Sequence, residues 1–371
     1  MGGKFSIIYG DEFLSYDFGE HHPLRQFRVK LAIDLMKELG VTKAPGVNIV
    51  PIHKSTVEDL LLFHTEEYVE FVRASCEANA GWLDDGDTPA IKGCFEAALY
   101  PVGASIDAVR AVWRGKTHHA YNLGGGLHHA HRNRASGFCV FNDIAIAISY
   151  LKKELGAKRI AYIDIDAHQG DGVMYGFYND PTILNIDFHE DGRYLFPGTG
   201  KVTELGDGTA LNLKVNVPFP PYSADYSFTY TFRQLVPPLI RKFEPEIILM
   251  QTGVDCHLAD PLTHMNLSYN SYIEVVRIVH NLAHEVSGGK LAMFGGGGYN
   301  PAAVAIIWTL MAAAIAGVEV SNTLPEPWRA ELTEMTGVPA PRSFNEEHTD
   351  DQVFSEVLDT VYWLRNKLLM T

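Results

Sequence analysis

Positive charge is in short supply in this chain: 30 lysines and arginines stand against 45 aspartates and glutamates, a formal net charge of −15. A nucleic-acid surface needs clustered Lys and Arg to neutralise phosphates, so no nucleic-acid partner is expected; a lysine-bearing peptide or a cationic small molecule such as a polyamine suits the field better. Cysteine is also scarce. Cys76, Cys94, Cys139 and Cys256 show neither the paired spacing of a zinc module nor a secreted disulfide framework, and they read as free thiols in a reducing, cytoplasmic compartment. Low-complexity linkers and internal repeats are missing, so 371 residues with 46% hydrophobic content read as a single domain, residues 1–371. Long apolar runs are missing too, with one exception. Residues 301–318 carry no charge, but they are rich in alanine, Asn300-Pro301 looks like a helix cap with Pro in the first turn, and a glycine loop precedes them. A buried helix is expected there, with no membrane span. Met1-Gly-Gly-Lys-Phe-Ser6 fits a loose myristoylation pattern, yet residues 5–9 read as a first strand entering the core.

The chain does have a regular alternation. Apolar runs near 47–52, 119–123, 160–165, 182–188, 247–251 and 291–294 alternate with stretches of helical period. That alternation predicts an α/β fold: a single open, mostly parallel sheet flanked by helices on both faces. The helical stretches lie near 24–39, 57–64, 65–74, 93–114, 144–155, 226–242, 271–285, 301–316 and 351–369. Ser55-Thr-Val-Glu58 is a capping-box pattern for the second, and Pro101 is expected to kink or divide the fourth. Pro325, Pro327, Pro339 and Pro341 mark a loop-like peripheral excursion over about 321–351, ahead of a C-terminal helix. Such a segment is placed to cover a cleft or to join copies in a homo-oligomer.

Polar clusters fall just after the predicted strands: Gly124-Gly-Gly-Leu-His128-His129, Asp166-Ala-His168, Asp187-Phe-His189, Asp255 and Gly295-Gly-Gly-Gly-Tyr299. Ligands of open α/β sheets bind beyond the carboxyl ends of the strands, so one cleft built from several loops is expected. Alternate side chains of a strand share a face, and Asp164, Asp166 and His168 project together if the extended geometry persists. Asp166, His168 and Asp255 then make a one-nitrogen, two-oxygen set that leaves positions for water and substrate, as a catalytic metal requires. Zinc, iron(II) and cobalt all suit it. Read singly, the aspartates can also be caps on the turn Gln169-Gly-Asp-Gly172 and on the strand before Asp255. His128 and His129 follow three glycines that let the backbone turn close to the metal, and Asp164 and Asp171 are carboxylates available to fix their tautomers. Among 16 histidines, ordinary structural ones are the rival reading for that pair. The glycines before Tyr299 lack the Lys-Ser/Thr of a phosphate loop; they present instead a hydroxyl suited to a tetrahedral oxyanion.

Gly124-Gly-Gly-Leu-His-His-Ala130, Ser136-Gly-Phe-Cys-Val-Phe-Asn142, Asp164-Ile-Asp-Ala-His-Gln-Gly-Asp171, Phe196-Pro-Gly-Thr-Gly200 and Gly295-Gly-Gly-Gly-Tyr-Asn300 together resemble the zinc-dependent histone deacetylase family. Order and spacing match over about 23–318, nearest the bacterial acetoin-utilisation and class I-like branch. The resemblance implies an arginase/deacetylase fold and hydrolysis of N-acetyl (N-acyl) lysine in proteins or peptides. A small-molecule amidohydrolase acting on acetylpolyamines is the nearest rival, and a non-catalytic acyl-lysine-binding protein a more distant one. By the same resemblance Asp166, His168 and Asp255 are the zinc ligands and Tyr299 polarises the substrate carbonyl. His128 pairs with Asp164 and His129 with Asp171, with His129 as general base and then acid. Phe138 and Phe196 line a narrow tunnel for the acyl-lysine stem, Asp87 holds the substrate backbone at the rim, and Gly137 and Leu262 complete the substrate contacts. Arg28 resembles an arginine beside an acetate exit channel, and a monovalent cation such as K+ is implied near Asp164, Asp166, His168, Asp187 and Phe188.

Three positions depart from the pattern. Gln169 stands where many relatives have a second histidine, Leu127 replaces a frequent aromatic, and Asp187 adds a carboxylate where serine is frequent. An arginase-like binuclear manganese enzyme needs a later Asp-x-Asp pair, which Asp255-Cys-His257 does not supply. His257 is expected to be a loop histidine with no assigned role.

Overall fold

Residues 4–349 and 351–370 are described in the computed structural model; Met1 to Gly3 of the myristoylation pattern lie outside them, as does Asp350 in the excursion. The chain begins with β1 (Phe5–Ile8), α1 (Phe27–Glu38), β2 (Val47–Val50), α2 (Val57–Leu60), α3 (Glu66–Ala78), α4 (Cys94–Trp113) and β3 (His119–Asn122). It continues through α5 (Asp143–Lys153), β4 (Ile160–Asp164), α6 (Asp171–Gly176), β5 (Ile183–Glu190), β6 (Lys214–Phe219), α7 (Asp225–Phe243) and β7 (Ile247–Gln251). The last elements are α8 (Tyr269–Val286), β8 (Leu291–Phe294), α9 (Pro301–Ala316), α10 (Glu326–Thr336) and α11 (Phe354–Leu368).

The strands form one sheet in the order β2-β1-β3-β8-β7-β4-β5-β6, and every pairing between them is parallel. After β3 the chain moves away to lay down β4, and β7 and β8 later fill the gap between them. The carboxyl ends of β3, β8, β7 and β4 therefore become neighbours although their sequences are far apart. Alternation along β3 separates two helical layers. The Tyr121 hydroxyl lies 2.8 Å from Thr252 Oγ1 and 4.0 Å from Met311 Sδ of α9, while Asn122 Nδ2 donates to Pro101 O and Ser105 Oγ of α4. One layer packs α1, α9, α8, α7 and α11 in succession; the other packs α3, α4 and α5.

Every residue of β3, β4, β5, β7 and β8 is buried, as a parallel sheet covered on both faces requires. Each large aliphatic side chain there contributes about 1.5–3 kcal/mol by leaving water. The uncharged segment after Asn300 forms the buried helix α9: the Asn300 side chain accepts from the amides of Ala302 and Ala303, and Trp308 Nε1 donates to Thr252 O. Among the described residues no helix is long and apolar enough to cross a membrane.

Several local expectations fail. Pro101 does not divide helix α4, and outside donors bond carbonyls of that turn: Ser55 Oγ on Leu99 and Asn122 Nδ2 on Pro101. The capping box lies one residue later than read, with Thr56 and Asp59 exchanging side-chain and backbone bonds at the start of α2. Strand β6 escapes a hydrophobicity reading because Lys214, Asn216 and Pro218 interrupt it; as the edge strand, it tolerates the missing proline N–H. The excursion contains α10, whose buried Trp328 donates from Nε1 to Leu31 O. Finally, Cys76 and Cys94 are joined in a disulfide, with Cα atoms 5.8 Å apart. The expectation of four free thiols holds only for the buried Cys139 and Cys256, because the return of the chain from α3 into α4 is invisible in an 18-residue spacing.

Candidate active site

β4 stops at Asp164, and the extended geometry does not persist beyond it. Asp166 N donates to Asp164 Oδ1 (3.1 Å) and His168 N to Asp166 Oδ1 (3.0 Å), so the chain turns twice, each time on an aspartate. The turns send Asp164 toward His128, while Asp166 and His168 meet Asp255 from the loop after β7. His168 Nδ1 lies 2.9 Å from Asp255 Oδ2 and 3.2 Å from Asp166 Oδ1. Asp166 Oδ2 also accepts from Gln251 Nε2 and from the Gly297 amide, each at 2.7 Å. A Cβ on Gly297 would fall 2.2 Å from Asp255 Oδ2, so only glycine lets the backbone approach this closely.

The three side chains offer ligand atoms all within 4.8 Å of one another, and all three are buried. Burial and the neighbouring Asp166 charge push the Asp255 carboxyl up to about 7, whereas His128 and His168 overcome burial to hold Asp166 well below the usual carboxylate range. Two carboxylates confined beside one imidazole are a site whose repulsion a divalent cation relieves, and a His/Asp/Asp donor set fits such an ion.

Beside this cluster His128 Nδ1 lies 2.8 Å from Asp164 Oδ2, His129 Nδ1 lies 2.8 Å from Asp171 Oδ1, and the two Nε2 atoms are 3.1 Å apart. The environments drive the adjacent rings in opposite directions. Burial opposes charge on His128, but Asp164 and Asp166 outweigh it and raise its pKa to about 10. Burial together with the His128 charge lowers His129 to about 4 despite Asp171. A charged and a neutral imidazole therefore stand in contact, the neutral one with its tautomer set by a carboxylate.

Tyr299 follows β8 and stands edge-on to His168, ring centroids 6.3 Å apart, and to Phe138 at 5.9 Å. Burial and the Asp255 charge push its hydroxyl well above the ordinary phenol, so it remains a proton donor. Phe196 touches the other side, 5.0 Å from the His129 ring and 6.4 Å from His168. Phe138 holds a left-handed φ of 69°, its carbonyl accepting from Tyr16 and its amide donating to Thr88. A Cβ on Gly137 would lie 2.7 Å from His129 Cδ2 and 2.8 Å from Phe196 Cε1. Asp87 is exposed at the rim of a hollow of about 620 Å³ that Gly137, Asp171 and Phe196 also line. Leu262 is exposed on the loop after Asp255, and the buried Arg28 donates from a terminal guanidinium nitrogen to Gly298 O, directly before Tyr299. At the expected monovalent-cation position, Asp187 is engaged by His189 Nδ1 (2.7 Å) and the Gly170 amide (2.9 Å). Phe188 packs into an aromatic group with Phe219, Phe228 and Phe232.

Four supporting residues escape a motif reading. Asp260 accepts from the Tyr299 and Leu262 amides (2.7 and 2.9 Å), fixing the tyrosine's backbone. His131 Nε2 shares Asp171 at 2.9 Å, Gln251 braces Asp166, and Asp84 gathers the amides of Gly86, Asp87 and Thr88. Only Gln251 left a signal, as a polar residue ending an apolar strand. His257 lies in the loop after β7, as expected, and there it is buried, stacks on Tyr269 at 4.8 Å and meets Glu346 of the excursion at 3.1 Å.

A family profile described as "Histone deacetylase domain" matches residues 22–315. The chain is 39% identical over 352 residues to the acetoin utilization protein AcuC of Bacillus subtilis (strain 168), covering 92% of this chain and 89% of that protein. It is 35% identical over 376 residues to the protein of the same name from Staphylococcus aureus (strain MSSA476), covering 93% and 94%. A crystal structure of an HDAC homolog complexed with SAHA superposes with a TM-score of 0.85 at 29% identity, covering 98% of this chain and 100% of that one.

Proposed function

The chain belongs to the histone deacetylase family, and on that footing we propose that it is a zinc-dependent deacetylase that hydrolyses N-acetyl-lysine in proteins or peptides. The observation that carries the reading is the pair of touching histidines, one anchored on Asp164 and one on Asp171, beside the Asp166/His168/Asp255 cluster and a protonated Tyr299. Asp166, His168 and Asp255 would hold a divalent ion, zinc with iron(II) or cobalt as alternatives, which would supply Lewis-acid polarisation of the acyl carbonyl and a lowered pKa for water.

The protein's own groups do the rest. Neutral His129 accepts the proton of the attacking water at Nε2 and returns it to the departing lysine amine. Asp171 keeps the opposite ring nitrogen occupied, so the basic lone pair is the one at Nε2, the atom 3.1 Å from His128 Nε2. The His128 charge, maintained by Asp164, and the Tyr299 hydroxyl oppose the negative charge that grows on the carbonyl oxygen. Acetate and free amine result. Phe138 and Phe196 flank the alkyl stem, Gly137 allows it to pass close to His129, and Asp87 and Leu262 meet the substrate at the rim. A monovalent cation such as K+ near Asp164, Asp166, His168, Asp187 and Phe188 belongs to the same reading, in competition with the Asp187–His189 pair. The net charge of −15 favours cationic substrates.

The test is acetate release from an acetyl-lysine peptide and from an acetylpolyamine by the metal-loaded protein, with Tyr299→Phe and His129→Ala alongside. Peptide turnover that collapses in both variants supports the proposal. Preferential polyamine turnover transfers the same chemistry to small molecules, and no acetate from either substrate with metal bound overturns the reading.

A further inference from the structure

We propose that His119, His280 and His284 form a second metal site, for a divalent ion of the zinc class, at the edge of the sheet opposite the active site. His119 is the first residue of β3, so about 10 Å of strand separates it from the end that leads to the catalytic histidines. His280 and His284 are one turn apart on α8 and face it together. The three Nε2 atoms converge: His280 and His284 each lie 3.2 Å from His119 and 3.1 Å from each other. His119 is buried, His280 half-buried and His284 exposed.

Protons cannot satisfy this triangle. A linear N–H···N bond uses one donor and one lone pair, so one proton serves one edge and leaves two lone pairs opposed across another; a second proton sets two N–H groups against each other. The side-chain partners of the three Nε2 atoms are one another, and the Gly289 backbone stands beside the His119 ring. A cation serves all three lone pairs at once. With nitrogens 3.1–3.2 Å apart and an ion about 2.0–2.1 Å from each, the N–metal–N angles come to roughly 100°, close to tetrahedral with one position open. A fourth imidazole, His118, stands nearby, its ring 6.3 Å from that of His284. An all-imidazole trio selects zinc, cobalt, nickel or copper over magnesium or calcium. Its ligands come from a central strand and from a helix of one flanking layer, so a bound ion would clip the two together.

The experiment strips the tag-free chain with chelator, reloads it with Zn2+ and counts metal per chain, using His280→Gln and His284→Gln on the accessible helix face. The wild type is expected to hold about two ions and each variant about one, with acetate release per chain unchanged and part of the zinc-induced rise in Tm lost. Asp255→Ala, which removes a ligand of the other cluster, is expected to keep the ion that the His284 variant loses. Matching apo circular dichroism establishes that the variants fold. Equal zinc content and equal zinc-induced Tm shifts in wild type and both helix variants overturn the proposal.

Discussion

At the two edges of one sheet stand two histidine clusters with opposite surroundings. At the carboxyl edge each ring is tied to an acid: His128 to Asp164, His129 to Asp171, and His168 to Asp166 and Asp255. At the amino edge, among the described residues, His119, His280 and His284 have one another as side-chain partners at Nε2. A carboxylate partner fixes which nitrogen carries the proton, and so gives a ring a direction for proton transfer. Rings without such partners keep their lone pairs and offer ligation. On the two proposals above, the same residue type would serve two chemistries, sorted by the charge placed next to it.

The largest test of this contrast is substitution across the two edges. His129→Ala is expected to lower kcat by about 10²–10⁴, and Tyr299→Phe by about 10²–10³. His284→Gln is expected to leave kcat unchanged. Equal losses at both edges would abolish the distinction. Removing metal with chelator is expected to end acetate release through the Asp166 cluster, and reloading one equivalent of zinc to restore it even in the His284 variant.

How much of this was legible in the sequence follows from the distance over which each residue acts. The central strands could be read because burial on both faces makes them continuously apolar, and Asp166 to His168 because its ligands are neighbours in the chain. β6 was hidden because a buried lysine lies in it: Lys214 Nζ bonds the carbonyls of Asp180 and Ile183, a role hydrophobicity cannot show. α10 was hidden because Pro325 and Pro327, read as breakers, stand at the N-cap and in the first turn, where proline is welcome. The amino-edge trio was unreadable, since 161 and 165 residues separate its members and only the packing of α8 beside β3 unites them. Asp260 was missed for the same reason, its partner Tyr299 arriving from a different strand end.

Asp260 gives the next test. It binds a backbone amide of the Tyr299 loop and does not occupy the position of the carbonyl oxygen, so it is a positioning residue. Asp260→Ala is expected to lower kcat by about tenfold to a hundredfold with little change in KM, because a small displacement of the hydroxyl weakens only the transition-state contact. A rise in KM at constant kcat would instead place Asp260 in substrate binding.

Stability against pH is a weaker effect that probes the unpaired edge. Burial lowers His64 and His119 from 6.5 to about 3 in the folded chain. Between those values the unfolded chain binds protons that the folded chain refuses, so their contribution is complete above pH 6.5 and is lost as pH falls toward 3. Tm of the metal-free protein is expected to fall across that window. Replacing His119 by Asn should flatten the slope, and an unchanged slope would mean that the buried rings already bind protons in the folded state.

The smallest test uses a third kind of histidine, one that pairs with an acid yet takes no part in the chemistry. His257 stacks on Tyr269 and meets Glu346, whose Oε2 also accepts from the Tyr269 amide at 3.0 Å. If a carboxylate partner alone made an imidazole catalytic, Glu346→Gln would depress kcat as Asp171→Asn is expected to. Geometry argues otherwise. Glu346 belongs to the excursion and ties it to the loop after Asp255, so its loss removes hydrogen bonds worth about 0.5–1.5 kcal/mol each and is expected to lower Tm by a few degrees with kcat nearly unchanged. Thermal melts and turnover measured on the same two variants separate the cases: a Tm drop without a kcat drop assigns Glu346 to anchoring, and the reverse for Asp171 assigns it to proton direction.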